Sequence, residues 1–475
     1  MRKQFVIAII FLLSCFSVVV CGQTYKDVTT SHSGELASLL GEEANGIDSL
    51  VVRGPINSED FYTMWQASFY GNLSVINLEN ANVENGVVPK DAFWHQSEQL
   101  EPDGQYIDCI RLRRIIFPEG VVEIGNGAFS YCIYLEEINI PSTLRHLNSY
   151  AFSDCIRLKT DPLVFPEGME EIANMAFLNC RSLTGEVVLP STMKTIGNGS
   201  FFSCKITKVN LPEGLREIGD AAFYACRLKE IHIPNSCLDL TGSSHVQLNL
   251  GLEKIHLPEG ITTIPSLFAC YCRDLKEVNI PASVKVIKNS AFEYCKPLRF
   301  LCLPEGLERI EKDAFNYVSS LEEVVFPSTL KTLGGEAFAY CRNLKRVYCT
   351  ATIPPTCEDS PTNPGDTPFG SYVESDLQAS RDIPLYVPIG SAELYRNAWG
   401  WDFFRNIIET DEFPETTSIH SKTIEPETCR DMYYDLNGRK IDVPVKGRIF
   451  DLQGRPVQGS PKHGVYIQNG KKVMK

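Results

Sequence analysis

Two histidines form the one histidine pattern in the sequence that could do chemistry. His232 and His256 stand at the same place in consecutive copies of a repeat, with Glu230 and Lys254 two residues before them. Side chains at matching places on neighbouring parallel strands lie about 5 Å apart, which suits two ligands of one metal ion. Because the pattern supplies no clear third ligand, the sequence favours a polar surface here, with no bound metal and no cofactor.

Cysteines form a second column of chemically capable side chains. The sequence has 17 of them. Those in the repeats should point into a dry core, where parallel side chains about 4.8 Å apart are farther apart than the Cβ atoms that a disulfide joins. We therefore expect buried free thiols in the column, and a disulfide between Cys349 and Cys357 stays open. The column contains Cys132, Cys155, Cys180, Cys204, Cys226, Cys295 and Cys341.

The sequence shows no catalytic constellation. It has no serine–histidine–aspartate set, no phosphate-binding loop and no metal-binding helix motif. Acidic pairs such as Glu136-Glu137 and Glu322-Glu323 are expected on the exposed side of strands. There, neighbouring carboxylates fall on different columns and cannot surround one substrate. The sequence thus predicts no catalytic residue and a protein that is not an enzyme.

The composition is that of a folded, acidic protein. Of 475 residues, 43% are apolar and 22% are charged, and 45 Lys and Arg stand against 59 Asp and Glu, a net charge of −14. Broad nucleic-acid binding needs positive charge to displace counterions. Nucleic acid is therefore not an expected partner.

A repeat of 22 to 25 residues, most often 23, positions these side chains. Each copy has three apolar residues, at places 1, 4 and 6 of a short strand, and then usually a proline. The apolar residues point inward and the variable ones between them point outward, and proline ends the strand because it cannot donate to the next ladder bond. The prolines are Pro118, Pro141, Pro166, Pro190, Pro212, Pro234, Pro258, Pro281, Pro304 and Pro327.

A second phrase, Ala-Phe-x-x-Cys, lies between the prolines, as in Ala128-Phe129 with Cys132. Together the two phrases resemble the BspA-like leucine-rich repeats of bacterial surface proteins, over about residues 47–349. The resemblance implies a leucine-rich repeat solenoid, in which stacking of the copies supplies the core. The strand phrases predict a parallel β-sheet of about 13 short strands on one face, with irregular turns on the other.

Two departures from a plain repeat stand out. The residues after each proline alternate between Glu-Gly and a pair such as Ser-Thr, so that the true unit is about 46 residues, which we attribute to duplication of a two-copy unit. The copy at 235–251 lacks the Ala-Phe-x-x-Cys phrase. We expect a bulge or a flat irregular turn there, and sequence drift as its commoner cause.

The N-terminus reads as an export signal. Arg2 and Lys3 precede an uncharged apolar run from Phe5 to Val20, with small residues before Gln23. We predict a signal peptide at 1–22, and a lipoprotein signal ending at Cys15 is the alternative. The remaining predicted segments are an N-terminal cap with the first repeat at 23–72, the repeat array at 73–349, a C-terminal cap at 350–410, a linker at 411–429 and a basic β-hairpin tail at 430–475.

The two ends beyond the array have distinct roles in this reading. Residues 383–388 look like a last strand, and Trp399 and Trp401 are expected on a helical segment that plugs the open end of the solenoid. In the tail, Asn437-Gly438 and Asn469-Gly470 are strong hairpin turns. The tail resembles the C-terminal sorting tails of type IX secretion cargo. That resemblance implies delivery to the outer surface of a Gram-negative bacterium, with the periplasm as the alternative location.

The outward side of the predicted sheet is the candidate binding surface. Long, mixed-charge faces on a rigid solenoid suit protein partners, and the family resemblance implies adhesion to host proteins, host cells or other bacteria by a monomeric surface protein. A glycan-binding surface protein and a periplasmic binding or scaffold protein are the alternatives. The candidate binding residues are Asn210, Glu230, His232, Lys254, His256, Glu277, Asn279 and Phe300.

Overall fold

The computed structural model describes residues 24–94, 110–359, 365–373 and 376–414, together with six short strands between 433 and 474. The chain divides into two compact units, Met1–Thr416 and Thr417–Lys475. The larger unit is a solenoid of stacked coils, so the predicted fold class is confirmed. The predicted signal peptide and most of the predicted linker lie outside the described residues, and the predicted segment boundaries stay predictions.

The strand phrases form the strands of one face, which we call the front face. Its strands pair in parallel within four groups, which run from Tyr25 to Ile138, from Leu163 to Asn210, from Glu230 to Asn279 and from Phe300 to Thr410. The thirteen strands that the sequence predicted are Ser49–Ile56, Val75–Asn77, Arg114–Ile116, Glu137–Ile138, Leu163–Val164, Thr184–Val188, Lys205–Asn210, Glu230–His232, Lys254–His256, Glu277–Asn279, Phe300–Cys302, Glu323–Phe326 and Arg346–Cys349.

Three more strands extend the front face. Tyr25–Thr29 precedes the predicted set, and Pro384–Pro388 and Asn406–Thr410 follow it. Only Pro384–Pro388 had a signal in the sequence, a run of alternating apolar residues.

A second parallel ladder, which we call the flank ladder, follows the prolines. The sequence had predicted irregular turns on this side of the solenoid. The ladder was missed because each strand is two residues long with a single inward apolar side chain, too short for a period-2 pattern. Its strands are Val87–Val88, Glu123–Ile124, His146–Leu147, Glu171–Ile172, Thr195–Ile196, Glu217–Ile218, Asp239–Leu240, Thr263–Ile264, Val286–Ile287, Arg309–Ile310, Thr332–Leu333 and Thr356–Cys357.

The Ala-Phe-x-x-Cys phrase makes the third side of each coil. Its phenylalanines stack face to face through the core, with ring centroids 5.5 Å apart for Phe152 and Phe177 and 5.6 Å for Phe177 and Phe201. Seven of the buried thiols donate to the backbone of the preceding coil, as Cys180 Sγ does to the Phe152 carbonyl at 3.1 Å. The cysteines are therefore packing residues that also close a hydrogen bond.

The coil at 235–251 keeps this conformation, so the expected bulge is wrong. Leu248 has a positive φ of 59°, like the residue before each cysteine in other coils. Asn249 takes the place of cysteine, and its Nδ2 donates to the Phe223 carbonyl at 2.7 Å. His245 and Val246 stand where other coils have Ala and Phe, since the His245 carbonyl accepts from the Phe223 N–H at 3.0 Å.

The N-terminal end is closed by two helices. They are α1 (Leu36–Leu40) and α2 (Ser58–Phe69), with 3₁₀ turns at Gly41–Gly46 and Glu84–Gly86. Asn57 caps α2 by accepting from the Glu59 and Asp60 N–H groups. The short strand Ala81–Val83 pairs with the end of Ser49–Ile56.

The C-terminal end is closed by α3 (Ala392–Arg396) and a 3₁₀ turn at Trp401–Phe403. Trp401 is buried, with its ring centroid 5.7 Å from that of Phe326, and its Nε1 donates to the Pro355 carbonyl at 2.8 Å. It fills the core as expected of a plug, whereas Trp399 is 40% exposed.

The smaller unit consists of antiparallel strands. Tyr433–Tyr434 pairs with Lys440–Ile441, and a four-stranded sheet contains Ile449–Phe450, Pro456–Val457, Val465–Gln468 and Lys471–Met474. Gln468 pairs with Lys471 across Asn469-Gly470, which is the hairpin that this dipeptide predicted. In the described residues, no helix is long and apolar enough to cross a membrane.

Candidate protein-binding surface

The third group of front strands brings six of the eight candidate residues together. Register places Glu230 beside Lys254 and Lys254 beside Glu277, and in the parallel column His232 beside His256 and His256 beside Asn279. All six side chains are exposed or half-buried. Asn210 and Phe300 belong to the groups on either side, so the candidate surface spans three hydrogen-bonded groups of strands.

Charged groups on this surface are satisfied across coils. His256 Nε2 lies 2.9 Å from Glu230 Oε1, a diagonal contact, and Lys254 Nζ lies 3.1 Å from Glu277 Oε1. The rings of His232 and His256 are 5.2 Å apart between centroids, close to the spacing expected from the sequence. The result is a small network of both charge signs held in fixed register.

The histidine pair does not extend into a metal-binding cluster. Within the ranges that the structure describes, no three histidine, cysteine, aspartate or glutamate side chains are grouped as metal ligands. Glu230 is engaged with His256, and Asn279 continues the histidine column. The arrangement therefore offers hydrogen bonds and charge to a partner.

The two outer candidates differ in character. Asn210 is exposed at the end of its strand and lies beside Val188. Phe300 is half-buried, with the Arg299 guanidinium carbon 5.4 Å from its ring centroid. Because Arg299 covers one side of the ring, Phe300 is an unpromising platform for a sugar.

One expectation about exposure is wrong. Glu323 was expected on the exposed face, but it is 1% exposed, and Val325 on the same strand is 3% exposed. The Glu323 carboxylate pairs with Arg346 at 2.8 Å, while its Oε1 has no hydrogen-bond partner among the described residues. Alternation alone predicts which side of the strand a residue occupies, and cannot predict what covers that side.

Sequence reasoning missed an aromatic pair at the C-terminal end of the same face. The rings of Tyr348 and Tyr386 stack 4.7 Å apart on neighbouring strands. The strand phrase ending at Cys349 already placed Tyr348 outward. The signal for its partner is the Pro-Leu-Tyr-Val-Pro run, whose outward residue is Tyr386.

The buried thiols are poor nucleophiles. Burial raises the pKa of the Cys272 thiol to about 12, and burial raises the pKa of Cys349 to about 11. Cys349 and Cys357 are both free thiols, so the disulfide that the sequence left open is not formed. Tyr395 donates its hydroxyl to Cys349 Sγ at 3.1 Å.

A cleft of about 630 Å³ lies at the C-terminal end of the flank ladder. Its lining includes Lys285, Glu308, Lys331, Thr352 and Ile353. Glu308 and Lys331 are paired at 2.7 Å, and the side chain of Lys331 lowers the pKa of Glu308. A carboxylate held ionised by a cation is not poised as a general acid, and the lining contains no activated nucleophile.

Comparison with known families supports the same architecture. The family model described as "BspA type Leucine rich repeat region (6 copies)" matches residues 102–185, 170–299 and 243–357. The chain belongs to the BspA-type leucine-rich repeat family. This family suggests a surface protein with a protein-binding role, and leucine-rich repeat proteins are typically non-enzymatic scaffolds.

One solved structure shows the same fold, and a second is a weaker match. A leucine-rich repeat protein from Bacteroides ovatus is 23% identical, with 70% of this chain and 91% of that chain covered and a TM-score of 0.52. A leucine rich cell surface protein from Faecalibacterium prausnitzii is 17% identical, with 64% and 83% covered and a TM-score of 0.33. No curated protein matches the chain.

Proposed function

We propose that this BspA-type protein is an extracellular adhesion protein that binds protein partners through its front face, without catalysis. The observation that carries the proposal is the group of strands Glu230–His232, Lys254–His256 and Glu277–Asn279. It holds two imidazoles and charges of both signs in one register. A rigid frame lets such groups meet a partner without a large loss of side-chain entropy.

Charge pairing on this face favours specific binding over non-specific binding. Cations of the front face pair with carboxylates one coil away, as Lys208 does with Glu186 at 2.7 Å and Arg114 with Glu137 at 2.6 Å. Because its charges are paired with one another, the face has little non-specific electrostatic attraction for anions or cations. It discriminates instead by matching the pattern of a complementary surface.

A pair of matched double variants tests the surface. Lys254→Ala/Glu277→Ala removes a cross-coil ion pair from the front face, and Lys331→Ala/Glu308→Ala removes a similar pair from the flank ladder. Both leave net charge unchanged. Binding is measured against a panel of purified extracellular-matrix and serum proteins. For each panel protein that the wild type binds, we expect the first double variant to weaken binding by about tenfold. The second double variant should leave binding within about twofold of wild type. Equal losses, or no panel protein bound, would contradict the proposal.

We also propose that the N-terminal signal exports the protein and that the C-terminal tail delivers it to the outer surface. The tail's antiparallel hairpins and its excess of basic residues support this reading. Brief protease shaving of intact cells, followed by mass spectrometry, tests it. Release of solenoid peptides from a mature protein that lacks residues 430–475 is expected. Protection of the solenoid with an intact tail would place the protein in the periplasm.

A further inference from the structure

A column of basic side chains runs along the edge of the solenoid that carries the Ala-Phe-x-x-Cys phrase. Each of these residues directly follows the cysteine place of its coil. The N–H groups of Arg181 and Lys296 donate to the carbonyl two residues earlier, at 2.7 and 2.9 Å, whereas those of Lys205 and Arg227 donate to the preceding coil. All are exposed. Six of the eight coils between 181 and 342 contribute to this column: Arg181, Lys205, Arg227, Arg273, Lys296 and Arg342.

These cations differ from many of the cations elsewhere on the solenoid, which form ion pairs. Lys194, Lys276 and Lys331 each pair with a glutamate one coil away, at 2.6 to 2.8 Å. By contrast, no member of the basic column forms an ion pair within the part of the chain that the structure describes. These unpaired cations lie on neighbouring coils about 4.8 Å apart, with gaps at Leu250 and Ser319. They leave an interrupted line of positive charge on an otherwise acidic protein.

Four tyrosines line the same edge. Tyr271, Tyr294, Tyr317 and Tyr340 directly precede the cysteine place, and a positive φ of 58 to 61° turns each side chain outward. Their rings stack with centroids 4.3, 4.3 and 4.2 Å apart. Two of the cations lie near these rings, Arg273 at 5.5 Å from Tyr271 and Lys296 at 6.0 Å from Tyr294.

The stacking determines which atoms of the tyrosines a ligand can contact. The three stacking contacts cover six of the eight ring faces, so mainly edges and hydroxyls remain for a ligand to contact. Partial burial and the neighbouring hydroxyls of Tyr317 and Tyr271 raise the pKa of Tyr294. The Tyr294 phenol therefore stays protonated at neutral pH and can donate a hydrogen bond.

We propose that this edge, from Arg181 to Arg342, binds an extended acidic polysaccharide that lies along the solenoid axis. The cations pair with its sulfate or carboxylate groups, and the row of phenols donates to those groups and to the sugar hydroxyls. Seven coil spacings of about 4.8 Å give a track of roughly 34 Å. This site is separate from the front face, so it stands or falls independently of the proposed function.

Other linear polyanions fit less well. Single-stranded nucleic acid gains much of its binding energy by stacking bases on aromatic faces, and most of the tyrosine faces are covered by neighbouring rings. An extended acidic peptide presents same-side carboxylates every ~6.6 Å, which falls out of step with the cations after one coil. A polysaccharide carries its charges on short rotatable groups and adds hydroxyls along its whole length, which suits both rows of the edge.

Two triple variants with the same charge change test the site, with heparin as the probe. Arg273→Gln/Lys296→Gln/Arg342→Gln removes three cations of the column, and Lys194→Gln/Lys276→Gln/Lys331→Gln removes three paired cations elsewhere. We expect the first to weaken heparin binding about tenfold and to flatten its salt dependence, because fewer counterions are released. The second should stay within about twofold of wild type.

The phenols are tested without a change in charge. Tyr294→Phe/Tyr317→Phe keeps the stack and removes two hydroxyls, and we expect heparin binding to weaken about threefold with an unchanged melting temperature. Equal losses in the two triple variants, or no heparin binding by the wild-type protein at low salt, would overturn the site. Competition by polyglutamate or single-stranded DNA as effective as by heparin would overturn the polysaccharide.

Discussion

At the scale of single residues, the cysteine places combine packing with a hydrogen bond. The thiols of Cys155, Cys180 and Cys204 each donate to a phenylalanine carbonyl of the preceding coil at 3.1 to 3.2 Å. Val318 stands at the same place without a donor and is equally buried. Asn249 shows that a longer amide can also fill the place and keep the hydrogen bond. The cysteine place therefore requires a side chain of suitable shape, and a side chain with a donor also forms a hydrogen bond to the carbonyl of the preceding coil.

Because the thiols are buried, we expect the stability of the folded protein to fall at alkaline pH. Unfolded cysteines ionise above about pH 8.5, whereas burial raises the pKa of Cys272 to about 12 and that of Cys237 to about 12. Between these values the unfolded state releases protons that the folded state keeps, so stability falls as pH rises. Urea unfolding at pH 7, 9 and 10 should show a steadily lower midpoint. Rapid native-state alkylation of Cys155 or Cys180 at pH 8, mapped by mass spectrometry, would contradict this.

His245 gives the opposite dependence on the acid side. It is 1% exposed, and burial lowers its pKa to about 4, against a smaller opposing effect of Asp220. Between about pH 6.5 and pH 4 the unfolded histidine gains a proton that the folded one does not, so stability falls as pH drops.

The double variant His245→Ala/Val246→Phe restores the repeat and should remove part of this acid dependence. It should also stabilise the fold by about 1 kcal/mol, because the added ring extends the phenylalanine stack by one coil from Phe223. Ala269, which stands at the phenylalanine place of the next coil, still interrupts the stack there. Chemical unfolding at pH 5 and pH 7 measures both effects. His245→Ala alone is the control, since it removes the titrating group and leaves the stack broken. An unchanged pH dependence in both variants would rule out His245 as its source.

At the scale of elements, the alternation after the prolines has a physical cause. Thr192 accepts from the Gly168 N–H at 2.9 Å and donates to the Met169 carbonyl at 2.6 Å, and Ser191 donates to Glu167 at 2.9 Å. The same bonds link Thr143 with Gly120 and Thr329 with Gly306. These hydrogen bonds thus hold each Ser-Thr coil to the Glu-Gly coil before it. Duplication explains how the pattern arose, and these bonds explain what it does.

This locking predicts a cost for a nearly isosteric change. Thr192→Val keeps the shape and loses both bonds at a half-buried place, so we expect a loss of about 1–3 kcal/mol in the free energy of unfolding. Thr262→Val is the matched control, because Thr262 is exposed and lies on the same side of a later coil. Equal urea unfolding midpoints for Thr192→Val and Thr262→Val would show that the Thr192 hydrogen bonds do not stabilise the fold.

The sequence predicted the front strands because their three apolar places alternate with outward ones. It placed His232 beside His256 correctly, since register follows from equal positions in the repeat. It missed the strand Asn406–Thr410, which lies outside the repeat and has no proline to mark its end. It also missed the burial of Glu323, because nothing in a strand pattern reports which groups cover the outward side.

At the scale of the whole molecule, the solenoid contacts are local, and each coil depends on its neighbours. The two ends are therefore the weak points, since an uncapped coil exposes its apolar side. At the N-terminus, α1 and α2 bury Leu36, Phe61 and Trp65. At the C-terminus the plug is aromatic, with Trp401 packed 5.5 Å from Phe369 and 5.2 Å from Tyr395 between ring centroids.

Removal of the C-terminal plug should open the solenoid from that end. Trp401→Ala leaves a large cavity against Phe326 and should cost about 3–5 kcal/mol. Because coupling runs only between neighbouring coils, the extra opening should be concentrated in the last coils. Hydrogen exchange should therefore speed up at Val324 and Val347 and stay unchanged at Ile115. Trp399→Ala, two residues away and partly exposed, should change stability by less than about 0.5 kcal/mol. Uniform acceleration of exchange along the array would show instead that the coils unfold as one cooperative unit.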